Sequence, residues 1–224
     1  MQITWERFDP ERLGYEALSG WLTEFYQMPP WNEYLKCFNC GGRDDFGPAG
    51  AYGHPEVEEK GMARCPLCGG SLELFWSPPR VEEYFRQLRE KGPLLGSTVV
   101  VGGEPAAWVW GYEVTPATPA PWGMQRQGLG IYIDVLAVLP KHRSGLVLWY
   151  LFLTILNQMK SGGYQYLVSR THRQADIVST LFQRLKFREL ARCPQDQQRS
   201  YWMWEPNEPR DDAPGLLEEP SSIQ

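Results

Sequence analysis

Four cysteines in two closely spaced pairs carry the strongest chemical signal in the sequence. The pairs are Cys37 with Cys40 and Cys65 with Cys68, and two glycines follow each pair. Two such CxxC turns can place four thiolates around one ion, which is the tetrahedral arrangement of structural Zn²⁺ sites. The alternatives are four reduced, buried thiols or a redox pair, and the second is disfavoured because neither turn lies in a βαβ context. We therefore predict a structural zinc ion bound by all four cysteines.

The segment that holds these cysteines, residues 37–75, is predicted to be a zinc ribbon inserted into a larger domain. Because protein atoms would fill all four coordination positions, the metal is expected to stabilise the fold and to take no part in catalysis. His54 is predicted to be a surface residue and not a ligand, and Cys193 to be a half-buried thiol. Acids outnumber bases in the segment, so a stabilising or protein-contacting role is favoured over nucleic-acid binding.

A single carboxylate stands inside the apolar run GIYIDVLAV, which is typical of a strand. Asp134 and Tyr132 are two residues apart and are therefore expected to face the same side of that strand. A carboxylate in this position could accept a proton from a reacting amine, directly or through water. The other interpretation is a structural aspartate held by hydrogen bonds.

A basic cluster follows the same strand. The run Lys141, His142, Arg143, Ser144, Gly145 leads directly into an apolar segment over residues 146–156. Cations beside an apolar segment cost desolvation energy unless an anion meets them, and a helix start offers unpaired N–H groups to the same anion. The pattern predicts an anion site at a helix N-terminus. The simpler interpretation is a solvated basic turn before a core helix.

These candidate residues need a framework, and the periodicity of apolar residues predicts one. Residues 11–28 and 80–92 are typical of amphipathic helices, and residues 97–114 of a strand hairpin around a Gly-Gly turn. The later elements are predicted as a strand over residues 130–140, a helix from residue 146 to residue 161, a strand over 164–169, a helix over 175–187 and a strand over 199–204. This order predicts an α/β fold of the α+β type, with a mixed sheet and helices against its faces.

Length and charge limit the classes of function. The chain has 224 residues, 42% of them hydrophobic, and no apolar run reaches membrane-spanning length. Six acids and one arginine from Glu205 onwards account for the whole net charge of −5, so the remaining body is neutral and no nucleic-acid partner is expected. The acidic tail, residues 205–224, is predicted to be disordered. The N-terminus lacks the apolar segment of a signal peptide, so we expect a cytoplasmic protein with no membrane partner.

With these elements in order, the sequence resembles the GNAT superfamily of acyl-CoA-dependent N-acyltransferases. VLAVLPKHRSGLV is similar to that family's strand ending in V-x-P-x-x-R before a pyrophosphate loop, ADIVSTLFQRLKFREL to its later helix, and FYQMPPWNE to a stretch near its first helices. The resemblance covers residues 1–36 and 76–204, with the ribbon as an insertion between the first two helices. It implies a GNAT-like central sheet, acetyl-CoA as cosubstrate, and transfer of an acetyl (acyl) group to an amine whose identity the sequence leaves open.

The resemblance also implies roles for individual residues. Leu136, Ala137 and Val138 would offer backbone hydrogen bonds to the pantetheine arm of the cosubstrate. The residues implied at the pyrophosphate are His142, Arg143, Ser144, Gly145, Leu146 and Val147. The family loop reads [RQ]-x-x-G-x-[GA], and this chain keeps the glycine at 145 but has a valine at 147 in place of a small residue.

The chain departs from the family pattern at three further positions. Phe182 stands where many members have a tyrosine that protonates the leaving thiolate, Lys186 where they have glycine and Ala175 where they have asparagine. Asp134 is the implied base, and Tyr132 or His172 could supply the proton instead of the missing tyrosine. The alternative is a catalytically silent scaffold that uses its ribbon for protein contacts. Binding of acetyl-CoA separates these two hypotheses, because a scaffold has no need to retain it.

Overall fold

Ten strands and seven helices make up the described part of the computed structural model, which covers residues 2–42, 46–143, 145–194 and 196–206. The first elements are β1 (Ile3–Arg7), α1 (Pro10–Leu13), α2 (Tyr15–Tyr26), β2 (Leu35–Lys36), α3 (Phe38–Gly41), β3 (Ala51–Tyr52), α4 (His54–Lys60), β4 (Glu73–Leu74) and α5 (Pro78–Lys91). The later elements are β5 (Leu94–Val101), β6 (Glu104–Val114), β7 (Gly130–Val138), α6 (Gly145–Gly162), β8 (Tyr166–His172), α7 (Asp176–Arg184), β9 (Arg188–Cys193) and β10 (Asp196–Trp204). A short 3-10 turn, Pro140–His142, connects β7 to α6.

Seven strands form one mixed sheet in the order β1-β5-β6-β7-β8-β10-β9. Each recorded pair of neighbours is antiparallel except β7 with β8, which run parallel because α6 carries the chain back across the sheet between them. Gly102 and Gly103 make the turn between β5 and β6, and their φ angles of 61° and 89° lie in the left-handed region that glycine adopts without strain. The predicted hairpin and the predicted α+β mixed sheet are both confirmed.

Helices cover both faces of this sheet, and each face has its own apolar core. On one face α2 and α5 pack against β6, with Leu22 and Trp108 fully buried. On the other face α6 and α7 bury Leu151 and Phe182. Burying a large apolar side chain stabilises a fold by about 1.5–3 kcal/mol, so these two cores hold the helices in place. The apolar face predicted for α5 is buried as a set: Val81, Tyr84, Phe85 and Leu88.

The structure differs from the sequence prediction in three places: it has two additional strands, and one predicted helix is interrupted. β1 and β9, which were not predicted, are the edge strands of the sheet and are mostly exposed. A short edge strand has one free side and little burial, so its sequence carries little apolar alternation. The helix predicted over residues 11–28 is instead two helices, because Gly14 adopts a φ of 83° between them. The side chain of Asp9 caps the first of these by accepting hydrogen bonds from the amides of Glu11 and Arg12.

A second, smaller sheet of three strands lies between α2 and α5, at the place predicted for the insertion. Its order is β3-β2-β4, and α3 and α4 lie beside it. This sheet begins at Leu35, two residues before the predicted boundary, and ends at Leu74. A small core of Cys37, Tyr52 and Cys65 holds it together.

Two further predictions concern the ends of the chain and membranes. The predicted acidic tail falls outside the described residues from position 207 onwards. Glu205, at its start, forms ion pairs with Arg126 at 3.1 Å and with Arg188 at 3.0 Å. In the part of the chain that the structure describes, none of the helices combines the length and the apolar character needed to cross a bilayer.

Candidate active site and metal centre

The two parallel strands of the main sheet separate, and a cavity lies between them. β7 and β8 pair only from Gly130 with Tyr166 to Ile133 with Ser169, although both strands continue beyond that point. β7 stays paired with β6 along its whole length, with a shift of register between Trp110 and Gly111. The space beyond the last β7–β8 pair is a cavity of about 870 Å³, a volume typical of small-molecule sites.

The edge of β7 that faces this cavity offers backbone hydrogen-bonding groups. The amide of Leu139 donates to the carbonyl of Ala106 on the β6 side at 2.9 Å. Backbone groups alternate in direction along an antiparallel pair, so Ala137 also faces β6, whereas Leu136 and Val138 direct their N–H and C=O groups to the opposite side. All three residues line the cavity. Leu136 and Val138 are therefore the two of the predicted three whose main chain can bond to a ligand there.

The start of α6 borders the same space. Arg143, Gly145 and Leu148 line the cavity, and the first amides of a helix have no partner within the helix. The side chain of Val147 packs into the core below, and that of Leu146 is 52% exposed. The valine at the position of a small family residue is thus turned away from the helix start. We call the main chain of Leu136 and Val138 with Arg143, Gly145 and Leu148 the elbow end of the cavity.

The described basic residues before α6 lie in three different environments. Lys141 forms an ion pair with Glu104 at 2.7 Å, and both side chains are largely exposed. His142 is half-buried, and its Nε2 atom has no hydrogen-bond partner among the described residues. Ser144 lies outside those residues. Arg143 is exposed and is the basic residue of this cluster that lines the cavity.

Asp134 lines the cavity and is held by a chain of two hydrogen bonds. The hydroxyl of Tyr84 on α5 donates to Oδ2 of Asp134, and Nε1 of Trp110 on β6 donates to the Tyr84 hydroxyl at 3.0 Å. Burial raises the pKa of Tyr84 well above its usual range, and the neighbouring Asp134 carboxylate raises it further. The Tyr84 hydroxyl therefore stays protonated and acts as a hydrogen-bond donor that holds one oxygen of the Asp134 carboxylate in place. The sequence assigned Tyr84 only to an apolar helix face, and a hydroxyl on that face was the one available signal.

The other predicted catalytic residue, Tyr132, lies in the core beside the cavity. Its ring packs at 5.1 Å from that of Tyr112 and stacks at 6.0 Å on Trp122, and burial raises its pKa well above the usual range. Phe182, at the position of the family tyrosine, lines the cavity and stacks at 4.4 Å on Phe187. The structure thus places Phe182 at the cavity, where it has no proton to give.

His172 and Lys186 were the remaining residues of interest on β8 and α7. His172 is buried and meets the ring of Trp31 edge-on at 5.8 Å, and burial lowers its pKa. Lys186 adopts a φ of 59°, in the left-handed region that favours glycine. The backbone at this position is therefore one that glycine adopts without strain, although the residue is a lysine.

The cavity lining also contains a buried ion pair that no sequence pattern predicted. Arg199 of β10 lies 3.0 Å from Glu33, and Nε1 of Trp76 donates to the same carboxylate at 3.2 Å. Arg199 also lies 3.0 Å from Asp196, close enough for an ion pair but not aligned for a hydrogen bond. Burial raises the pKa of Glu33, and Arg199 opposes that rise. Since Glu33 and Arg199 are 166 residues apart in sequence, only the folded chain brings them together.

Aromatic rings surround the cavity on the side of this ion pair. They come from the end of α2 and the segment after it, from the smaller sheet region and from α5. We call this set the aromatic end of the cavity: Tyr26, Trp31, Phe46, Trp76 and Tyr84.

The four cysteines of the insertion form a compact cluster away from the cavity. Their sulfur atoms all lie within 4.8 Å of one another, with Cys37 3.5 Å from Cys68 and Cys40 3.8 Å from Cys65. A tetrahedral site with metal–sulfur bonds of about 2.3 Å separates its sulfurs by about 3.8 Å. The donor set and its spacing therefore fit Zn²⁺. His54 contacts Glu58 at 3.4 Å and the ring of Tyr34 at 4.7 Å, outside this cluster.

The thiols of the cluster influence one another's protonation. Hydrogen bonding to Cys68 and burial raise the pKa of Cys40 to about 12, whereas a hydrogen bond from the Tyr52 hydroxyl lowers the pKa of Cys65 to about 6. Four thiolates this close together repel unless a cation lies among them. Gly42 and Gly69, with φ angles of 72° and 71°, provide the left-handed residue that ends each CxxC turn.

The fold is similar to those of solved acetyltransferases. The PaiA N-acetyltransferase from Thermoplasma acidophilum, solved in complex with coenzyme A, aligns with a TM-score of 0.54 at 13% identity, over 92% of this chain and 99% of its own. An acetyltransferase from Thermus thermophilus aligns with a TM-score of 0.51 at 10% identity, over 92% and 97%. No protein-family model and no curated protein sequence matches the chain. The chain therefore has the fold of GNAT acetyltransferases, which confirms the resemblance at the level of the fold.

Proposed function

We propose that the protein transfers an acetyl group from acetyl-CoA to an amine. The observation that carries the proposal is the cavity between β7 and β8, which has main-chain donors at one edge and a fixed carboxylate, Asp134, at another. An extended pantetheine arm matches the free edge of β7 at Leu136 and Val138, because it has amide groups that can bond there as a strand would. The diphosphate matches the start of α6 beside Arg143.

In this proposal Asp134 removes the proton that an ammonium group must lose before it can attack the thioester. The amine nitrogen forms a bond to the acetyl carbon and the carbon–sulfur bond breaks, so the sulfur leaves as the thiolate of coenzyme A. The second proton that the nitrogen loses as the amide forms passes to that thiolate or to water. Tyr84 holds one oxygen of Asp134, and the other, which has no hydrogen bond from the described residues, can accept the proton directly or through water. Thiols have a pKa of about 8.5, so the leaving sulfur can depart as a thiolate with little help. Tyr132 as a proton donor remains a prediction.

The test is the stabilisation of the protein by acetyl-CoA. Ligand at 100 times its dissociation constant stabilises a fold by about 2.7 kcal/mol, roughly 5 °C or more in the melting temperature of a chain of this size. We expect that shift with acetyl-CoA and none with acetate at the same concentration. If millimolar acetyl-CoA leaves the melting temperature unchanged, the acetyltransfer proposal fails and the scaffold hypothesis replaces it.

We also propose that the four-cysteine cluster holds one structural Zn²⁺ ion through Cys37, Cys40, Cys65 and Cys68. The sulfur separations and the two left-handed glycines support this assignment. The ion would crosslink the two halves of the insertion, whose own apolar core is small. Elemental analysis of the purified protein should give one zinc per chain. Freely titratable thiols in a folded, metal-free protein would contradict the assignment.

A further inference from the structure

The rings of the aromatic end form one continuous wall that leads to Asp134. The ring of Trp31 meets that of Tyr26 at 5.4 Å, Tyr26 meets Trp76 at 6.1 Å, and Trp76 stacks on Phe46 at 5.6 Å with an interplanar angle of 21°. Phe46 then meets Tyr84 edge-on at 5.4 Å. Tyr84 donates its hydroxyl to the carboxylate of Asp134. A ligand whose amine reaches Asp134 therefore lies along aromatic surface.

The insertion supplies one member of this wall and fixes it in place. The guanidinium of Arg80 on α5 lies over the ring of Phe46 at 4.6 Å and over the ring of Phe38 at 4.5 Å. Phe38 follows Cys37 directly in the sequence, in the first CxxC turn. The same arginine donates from Nε to the carbonyl of Phe75 at 2.8 Å. Phe46 is thus tied through one cation to the four-cysteine cluster, although it faces the cavity.

The described lining of the cavity has no surplus of negative charge for a second cation, because its three carboxylates are matched by three arginines: Glu24, Glu33 and Asp134 with Arg143, Arg170 and Arg199. The guanidinium of Arg199 already lies over the ring of Trp31 at 5.1 Å, and Glu33 is committed to Arg199 and Trp76. Arg170 of β8 also lines the cavity. A polyamine or a lysine-rich peptide would bring further positive charge that this balanced lining does not offset. A flat apolar group can instead contact these rings where they line the cavity, and aromatic pairs prefer offset or edge-on contacts.

We propose that the acceptor is a primary amine attached to an aromatic group, an arylalkylamine, and that Phe46 is a specificity-determining residue for it. The inference rests on the proposed acetyltransfer function. The amine lies at Asp134, where its nitrogen takes the acetyl group and its proton passes to the carboxylate. The aromatic group lies along the aromatic end. The insertion thereby shapes the acceptor pocket, which is a different role from the contact with other proteins that its sequence suggested.

The experiment compares phenethylamine with n-butylamine and spermidine as acceptors at saturating acetyl-CoA. We expect kcat/KM for phenethylamine to exceed that for n-butylamine by about 10-fold or more, with spermidine the poorest of the three, because ring contacts add to apolar burial. In Phe46→Ala the preference for phenethylamine should fall several-fold through KM. The KM for acetyl-CoA and the zinc content should stay as in the wild type.

Two further variants serve as controls for the Phe46→Ala experiment. Phe46→Leu keeps an apolar side chain and leaves a smaller cavity than alanine, so it tests the role of Phe46 even if Phe46→Ala fails to fold. It should still lose the preference for phenethylamine, because it has no aromatic ring. Leu67→Ala changes a ribbon residue that is 79% exposed and should behave as the wild type.

The outcomes separate this inference from the proposed function. Equal or faster turnover of n-butylamine or spermidine overturns the arylalkylamine assignment and leaves acetyltransfer in place. Stabilisation by acetyl-CoA with no turnover of phenethylamine overturns the assignment as well. An unchanged preference in both Phe46 variants overturns the role of Phe46. No stabilisation by acetyl-CoA removes the proposed function, and this inference with it.

Discussion

The elbow end and the aromatic end of the cavity are built in different ways. The elbow end uses main-chain groups of one continuous stretch, from Leu136 to the start of α6, with Arg143 as its cation. The aromatic end uses side chains from several separate parts of the chain, among them α2, the insertion and α5, and the ion pair of Glu33 with Arg199 lies beside them. Main-chain groups are the same in every sequence, so the elbow end suits a ligand common to a whole fold. Side chains differ, so the aromatic end suits a ligand particular to this chain.

The largest expected effect comes from breaking the metal cluster. Cys65→Ser should abolish zinc binding and unfold the insertion, because the binding free energy of a structural zinc is of the order of 10 kcal/mol and is also folding free energy. The aromatic end as a whole, and not Phe46 alone, would lose the support of the insertion, so turnover of any amine should collapse. Stabilisation by acetyl-CoA should survive, since the elbow end lies on β7 and α6. Zinc content and melting curves with and without acetyl-CoA measure both effects.

The matched control for that variant is His54→Ala. His54 lies in the same insertion but outside the four-sulfur cluster, so the variant should keep its zinc. Loss of the acetyl-CoA shift in Cys65→Ser would show that the two ends fold as one unit, and the comparison between them would fail.

The next largest effect, on kcat, is expected from removing the carboxylate of Asp134, which lies between the two ends of the cavity. Asp134→Asn keeps the shape of the side chain but cannot accept the proton, so kcat should fall about 100-fold or more. The acetyl-CoA shift should be unchanged. Tyr84→Phe, which removes only the hydroxyl that holds the carboxylate, should reduce kcat by a smaller factor. Steady-state kinetics at saturating acetyl-CoA measures both, and an Asp134→Asn enzyme of full activity would exclude the carboxylate as the base.

A smaller effect, on the free energy of unfolding, is expected from breaking the buried ion pair of Glu33 with Arg199 beside the aromatic end. Glu33→Gln leaves the buried guanidinium of Arg199 with Asp196 alone, which should cost about 3 kcal/mol, or roughly 6 °C or more in melting temperature. An exposed pair provides the control: Glu104→Gln removes the partner of Lys141 and should change stability by less than about 1 kcal/mol. Thermal unfolding of the two variants side by side tests whether burial makes the difference.

The smallest effect belongs to the side chain at the elbow end. Arg143→Ala should raise the KM for acetyl-CoA by only a few-fold, because the main chain makes most of the contacts and an exposed cation is well screened. Lys141→Ala should change that KM less, since Lys141 is engaged with Glu104. The difference in KM for acetyl-CoA between the Arg143→Ala and Lys141→Ala variants should become smaller as the salt concentration rises. A KM increase of 100-fold in Arg143→Ala would mean that the elbow end depends on its side chain after all.

The same contrast explains what the sequence could predict. The candidate metal ligands Cys37 and Cys40 and the candidate anion site around Gly145 are marked by local spacing, which is visible in a short stretch of sequence. Tyr84 and Asp134 are 50 residues apart, and Glu33 and Arg199 are 166 apart, so no local pattern marks either pair. Lys186 shows a third case: the sequence lacks the expected glycine, yet the backbone keeps the left-handed conformation because the surrounding fold imposes it.

The pairing of β2 with β4 has a consequence for how the chain could have acquired its insertion. Leu35 lies opposite Leu74 and Lys36 opposite Glu73, so the chain leaves the host domain and returns to it at one point. A two-residue Asn-Gly turn could close the strands there without moving α2 or α5. The insertion can therefore be exchanged as a unit. If the proposed function holds, another module at this point would replace Phe46 and change the acceptor, while Asp134 on β7 would stay in place.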